Sequence, residues 1–249
     1  MLTFISFGSS HSWAQMAMKL LKSLQNTYPD AKIELYTWRN LSFNDRKYAR
    51  KYPRGYGYWR WKPFVINEAL AKIKEGDWLV YLDARYYHQP LQRVEWIDSL
   101  KKDIGNDIVV ARSKYIEREW SSGDALNHFG LTPESKEANT NQWAANLVGV
   151  KKSTKIIHAI EAWLDLLYSH GAFFRDNASI IPNHKDFKEN RHDQTALSLL
   201  LKKNNLGLQI KELDLELLRT SSLKPNFTPH PIALHQRIAK KLKSIVAKR

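Results

Sequence analysis

Residues 54–85 read RGYGYWRWKPFVINEALAKIKEGDWLVYLDAR, and the order of elements in this stretch decides the fold. Gly55, Tyr56, Gly57, Tyr58, Trp59 and Trp61 form an aromatic, glycine-rich lead-in to Lys62 and Pro63. Phe64, Ile66, Ala69, Leu70 and Ile73 then recur at helical spacing, and Pro63 suits a first turn because its missing N–H has no partner there. Lys62 is therefore expected at a helix N-terminus. Glu75-Gly76-Asp77 breaks the helix, and residues 78–82 (WLVYL) form a short apolar run that predicts a buried strand. That strand delivers Asp83 and Arg85 to its carboxyl end, where open α/β sheets bind their ligands.

Outward from this block the same alternation continues. Residues 3–7 predict a strand, Gly8 to Ser12 a polar turn, and Trp13, Met16, Ala17, Leu20, Leu21 and Leu24 one face of a helix. Residues 32–36 follow as a second strand, 107–111 (DIVVA) as a further core strand and 142–150 (QWAANLVGV) as a strand that starts on a polar residue, Gln142. Ile156, Ile157, Ile160, Trp163, Leu164 and Leu167 mark an amphipathic helix, and Leu197, Leu200 and Leu201 another that starts at His192-Asp193-Gln194. Strand-helix alternation of this kind favours an α/β class with a mostly parallel central sheet flanked by helices. The polar, basic residues 40–52 predict an exposed helix or loop, and residues 96–102 a helix end.

The order Tyr-Gly-Tyr-Trp-x-Trp-Lys-Pro, helix, Gly-Asp-x-Leu-x-Tyr-Leu-Asp-Ala resembles a group of bacterial GT-A-type glycosyltransferases that use nucleotide-sugar donors to build surface polysaccharides such as lipopolysaccharide, O-antigen or capsule. The resemblance runs to about Leu201, with residues 55–85 its specific part. It implies a nucleoside diphosphate sugar donor, UDP-sugars first, and a glycan or lipid-linked glycan acceptor. Such chemistry needs a cradle for the diphosphate, a carboxylate near the sugar and an open acceptor cleft. Gly8, Ser9, Lys62, Asp83 and Arg85 are assigned to the donor, although Gly8-Ser9-Ser10, with its single glycine, also reads as an ordinary strand-to-helix connection. The His-Asp-Gln-x-x-Leu-Ser-Leu-Leu pattern at residues 192–200 resembles the same enzymes, where an aspartate at such a helix start lies at the reaction centre. Asp193 is thus the catalytic candidate; it reads equally as a helix N-cap, and one residue can do both.

The acceptor is assigned to Trp120, Asp124, Gln142, His192 and His235. Trp120-Ser121-Ser122-Gly123-Asp124 stands where the resembling family often has Trp/Tyr-Thr-Lys-Arg-Asp, so the aspartate is kept and the basic pair is not; Asp124 also reads as a plain N-cap of a short helix over residues 124–129. His235 is included because C-terminal histidines return to the site in many GT-A enzymes. Tyr86 and Tyr87 are expected on a rim loop. Many GT-A enzymes hold magnesium or manganese on Asp-x-Asp, whereas Asp83-Ala84-Arg85 replaces the second carboxylate with a cation that can itself pair with phosphate. No required cofactor is expected, Asp83 being the one weak metal candidate. In the other reading, Arg85 turns away to pair with Asp77 or a surface carboxylate.

Composition sets the remaining bounds. The 249 residues, 43% hydrophobic and without a Pro/Gly/Ser-rich linker, are enough for one large core. The expected domain spans residues 1–233, followed by a helix over 234–249 whose Leu234, Ile238, Leu242, Ile245 and Val246 stripe is flanked by basic residues only. Such a helix suits an anionic membrane surface. The absence of cysteine removes disulfides and cysteine-ligated zinc. The opening MLTFISFGSSHS lacks a basic leader and a long apolar run, so a cytoplasmic protein, peripheral on the inner face of the plasma membrane, is expected. A net charge of +14 also suits a basic nucleic-acid-binding module, but no recognisable motif supports nucleic acid as a partner. A GT-A-like protein that binds without catalysing is the third reading.

Overall fold

The predicted alternation is realised as a six-stranded sheet in this computed structural model, which describes residues 1–87, 95–102, 105–203 and 205–214. Strands β1 (Leu2–Gly8), β2 (Lys32–Thr37), β3 (Trp78–Leu82), β4 (Ile108–Ile116), β5 (Asn141–Lys151) and β6 (Ile210–Asp214) lie in the order β2-β1-β3-β5-β4-β6. β1 pairs in parallel with β2 and β3, and β4 with β6, whereas β5 runs antiparallel to both of its neighbours, β3 and β4. The sheet is thus mostly parallel, with one reversed strand at its centre.

Period-two alternation within the strands sorts their side chains onto two faces. Ile5, Phe7, Leu79 and Tyr81 point to one face and are covered by helices α3 (Trp61–Lys72), α6 (Thr154–Ser169) and α7 (Asp193–Lys203). Phe4, Val80 and Leu82 point to the other, under α1 (His11–Thr27) and α4 (Glu95–Lys102). Each fully buried side chain of this size contributes about 1.5–3 kcal/mol of hydrophobic stabilisation, so both layers are firmly seated on the sheet. Serine caps set the starts of α1 and α6, Ser10 taking the Trp13 N–H and Ser153 the Ile156 N–H. Of the predicted α6 stripe, Ile156, Ile160, Trp163 and Leu167 are buried, and Ile157 and Leu164 are half-buried.

Residues 40–52 form a helix, α2 (Phe43–Lys51), that is not wholly a solvated face: Asp45 is buried and takes the Arg60 guanidinium at 2.7 Å. Helix α5 (Gly123–His128) matches the predicted short helix, but its cap is Ser122, which receives the Ala125 N–H. Among the described residues, no helix is long and apolar enough to cross a membrane. His235, the basic helix over 234–249 and the domain boundary at 233 lie outside the described residues, as do residues 88–94 of the rim loop.

Candidate functional site

β1 and β3 are hydrogen-bonded parallel neighbours, so their carboxyl ends open on the same side of the sheet. A cleft of about 720 Å³ lies there, lined at its floor by Phe7, Trp61 and Tyr81 and at its rim by Ser9, Ser10, Asp83 and Arg85. Gly8 does not line it but permits it: a Cβ at this position would come within 2.3 Å of the Ala14 backbone, so only glycine lets α1 approach the strand end that carries Ser9 and Ser10. The Phe7 and Trp61 rings stack at 3.8 Å, giving the floor a flat aromatic surface.

The opposite wall is the aromatic lead-in to α3. Its backbone is left-handed at every residue from Gly55 to Trp59, Tyr56, Tyr58 and Trp59 included, with φ between 54° and 89°. Each non-glycine residue in this region costs about 1–2 kcal/mol. The strain is held by hydrogen bonds from the Tyr58 N–H to the Arg54 carbonyl, from the Trp59 N–H to the Gly55 carbonyl and from the Trp61 indole to the Gly55 carbonyl. Arg60 anchors the far end through Asp45 and packs over Tyr48. Backbone strain persists where surrounding structure enforces it, and such sites are commonly ligand clamps; here it turns Tyr56 and Trp59 into the cleft. A Cβ at Gly55 would lie 2.2 Å from the Trp59 ring at a φ of +57°. Gly55→Ala is therefore expected to lose about 2–4 kcal/mol of stability, as left-handed strain adds to overpacking. Urea unfolding measures this, and an unchanged midpoint would show that the turn relaxes freely.

A smaller polar lobe of about 70 Å³ extends the cleft, lined by Arg54, Lys62, Asp83, Arg85, Arg191 and Asp193 among others. Lys62, in the first turn of α3, is 2% exposed, and its Nζ lies 2.5 Å from Asp193 and 3.5 Å from Asp83. Asp83 also takes the Tyr81 hydroxyl at 2.6 Å and the Arg85 guanidinium at 3.0 Å, and its backbone N–H donates to the Asn146 carbonyl of β5. Asp193 opens α7 and is buried, and the Trp163 indole donates to its carbonyl at 3.1 Å. Burial pushes the Asp193 carboxyl up to about 6, even though the Lys62 cation and the Gln194 backbone N–H favour its ionised form; nearby Asp83 adds to the rise. Desolvation likewise holds the Tyr81 phenol well above its ordinary range, so it serves Asp83 as a donor.

The lobe brings together five of the residues assigned from the sequence: Lys62, Asp83, Arg85, His192 and Asp193. Arg85 does not pair with Asp77, which is held by the chain's N-terminal amine at 2.6 Å. His192 is buried with a left-handed φ of 55° and lies beside Tyr58 and Trp59. The Phe174 carbonyl accepts from its Nδ1 at 2.8 Å, and Nε2, 3.6 Å from the Asp176 carboxylate, has no hydrogen-bond partner among the described residues. Desolvation lowers its pKa, so the ring is neutral at pH 7.

Two acceptor assignments are corrected. Gln142 is fully buried, donates to Glu117 and accepts from Gln194; it orients a residue of the lobe rather than touching a ligand. Asp124 neither caps its helix nor enters the lobe: its carboxylate takes the Ile180 and Ile181 backbone N–H groups and ties down the long loop that leads to His192. Trp120 lies behind the lobe, 4.5 Å from Tyr115 and under the Arg191 guanidinium. Arg54, Arg191, Asn146 and Gln194 line the lobe without having been assigned. Arg54 carried one usable signal, as the cation directly before the glycine-aromatic run.

The donor set does not fit a divalent ion. Asp83 is occupied by a phenol and two cations, and Asp193 by Lys62. Among the described residues no cluster of three His, Asp or Glu side chains could hold a metal.

No protein-family model and no curated protein matches the chain. Two solved structures resemble it at 10% sequence identity. One is a glycosyltransferase involved in the glycosylation of the major capsid of PBCV-1, aligned over 86% of this chain and 81% of its own with a TM-score of 0.45. The other is mouse xyloside xylosyltransferase 1 in its apo form, aligned over 86% and 85% with a TM-score of 0.46. Both likenesses are remote.

Proposed function

We propose that this chain is a GT-A-type glycosyltransferase that moves a sugar from a nucleoside diphosphate sugar, a UDP-sugar first, to a glycan acceptor in surface polysaccharide synthesis. The observation that carries the reading is a single cleft in which an aromatic surface leads to a cation-rich lobe closed by a buried carboxylate of raised pKa. The nucleoside rests against the aromatic floor and wall, the diphosphate meets Arg85 and Lys62, and the sugar reaches the lobe beside Asp193. In the transfer step the bond from the anomeric carbon to the phosphate oxygen breaks, and its electron pair leaves with the nucleoside diphosphate. The acceptor hydroxyl oxygen bonds to the anomeric carbon and gives its proton to Asp193; where the anomeric carbon becomes cationic first, the same carboxylate faces that charge. A base with a pKa of about 6 is largely ionised at pH 7 yet basic enough to take a proton. His192 Nε2 is an acceptor suited to a sugar hydroxyl. Lys62 and Arg85 supply the positive charge that a divalent ion would otherwise bring to the departing phosphate. The further reading of a lipid-linked acceptor on an anionic membrane surface rests on the composition of residues 234–249.

The test is binding and turnover across a panel of nucleotide sugars, with and without chelator. Arg85→Ala should weaken donor binding about 10- to 100-fold, the scale of a hydrogen bond to a charged group, and chelator should change nothing. An enzyme silenced by chelator and indifferent to Arg85→Ala would refute the metal-free cradle.

A further inference from the structure

Arg54 stands where the left-handed wall of the cleft begins, and it lines both the large cleft and the polar lobe. Its guanidinium is paired with the loop that precedes α7: Asp176 takes one nitrogen with both oxygens at 3.0 and 3.1 Å, and Glu189 takes another at 3.0 Å. We propose that Arg54 is a third diphosphate-binding residue, which exchanges Asp176 and Glu189 for the donor's phosphate oxygens when the nucleotide binds. This deepens the glycosyltransferase reading and rests on it.

Charge balance is the first reason. Around the lobe four cations, Arg54, Lys62, Arg85 and Arg191, stand against four carboxylates, Asp83, Asp193, Asp176 and Glu189. Each cation of the lobe is thus already paired with a carboxylate, so an incoming diphosphate gains a full ion pair only where a cation changes partner.

The second reason is which cation can change partner most easily. The Lys62 side chain is 3% exposed and wedged between the buried Asp193 and the half-buried Asp83. Arg54 is 41% exposed, and its partners Asp176 and Glu189 are 37% and 38% exposed, so water screens those pairs and the freed carboxylates are readily solvated. A guanidinium also matches phosphate with two parallel hydrogen bonds, a pairing that Arg54 does not have now, since Asp176 shares one nitrogen between its two oxygens and Glu189 takes the other.

The experiment is calorimetric titration of the full chain with UDP, dTDP, GDP, ADP and CDP, in chelator, for wild type, Asp176→Asn/Glu189→Gln and Arg54→Ala. For the nucleotide that wild type binds, the double variant should bind about five-fold tighter, because the competing screened pairs are gone. Arg54→Ala should bind it about 10- to 100-fold weaker. A merely structural tether gives the opposite sign, since cutting it loosens the cleft wall; unchanged or weaker binding by the double variant overturns the exchange. Glu189→Gln alone gives the same sign at smaller size if the double variant does not fold. Failure of every nucleotide to bind wild type overturns the donor-cleft reading and the role of Arg54 with it, whereas wild-type binding without the gain overturns the role of Arg54 alone.

Discussion

Asp193→Asn should lower kcat by about 100-fold or more while the protein stays folded. The side chain is buried at the inner end of the lobe, and its carboxylate meets Lys62 at 2.5 Å. Asparagine keeps the shape but has no charge with which to accept a proton or face a cationic anomeric carbon. Lys62 retains Asp83 at 3.5 Å as a counter-ion, and the Trp163 indole still finds the residue's backbone carbonyl, so the local packing survives. The wild-type kcat/KM should rise with pH through about 6, the value to which burial raises the carboxyl, and level off above it. The variant should lack that limb. Equal turnover by variant and wild type, with the same pH limb, would remove Asp193 from the chemistry.

Lys62→Met should be the most damaging single change to both stability and turnover. The methionine leaves Asp83 and Asp193 without the ammonium group that lies between them. Breaking a buried ion pair by deleting one partner costs about 3–5 kcal/mol. Loss of a positive group aimed at a departing phosphate adds about 100-fold in kcat. The pH dependence identifies the cause. In the wild type the folded-state pKa of Asp193, about 6, lies above its ordinary 3.8, so the native state holds the extra proton between these values and stability falls as pH rises through that window. Removing Lys62 takes away the main interaction favouring the ionised form, which pushes the carboxyl higher still and extends the window upward. The stability deficit of Lys62→Met should therefore be smaller at pH 5 than at pH 8, and its activity limb should move to higher pH. A deficit independent of pH would mean that Lys62 acts through packing alone.

The elements were legible because each is built from local periodicity. WLVYL at residues 78–82 is β3 to the residue, and the start of α3 places Lys62 in its first turn. Asp83 and Arg85 at a strand's carboxyl end were enough to find the cleft, since the sheet fixes where such ends open. The direction of β5 was not legible, because an apolar run such as QWAANLVGV reads alike in a parallel or an antiparallel strand. Nor was the left-handed turn: Tyr56, Tyr58 and Trp59 are poor residues for that backbone, and only tertiary anchors such as the Arg60 to Asp45 pair hold them there. The residues that were placed elsewhere or passed over share one cause. Asp124 meets its partners 56 and 57 positions later, Gln142 meets Gln194 52 positions later, and Arg54 meets Asp176 and Glu189 122 and 135 positions later. No local pattern records contacts of that separation. Asp193 was assigned through its His-Asp-Gln setting and its buried partner Lys62, 131 positions earlier, independently of it, and only the fold joins them.

In the proposed reaction the cleft holds a nucleoside diphosphate sugar with its anomeric carbon beside Asp193. The direct test is release of nucleoside diphosphate from UDP-, dTDP- and GDP-linked sugars, and of CMP from CMP-linked ones, followed in chelator for wild type and Asp193→Asn. Wild type should turn over at least one of the diphosphate donors, and Asp193→Asn should bind the same donor but release product at least about 100-fold more slowly. No release from any donor, or equal release by both proteins, would contradict it.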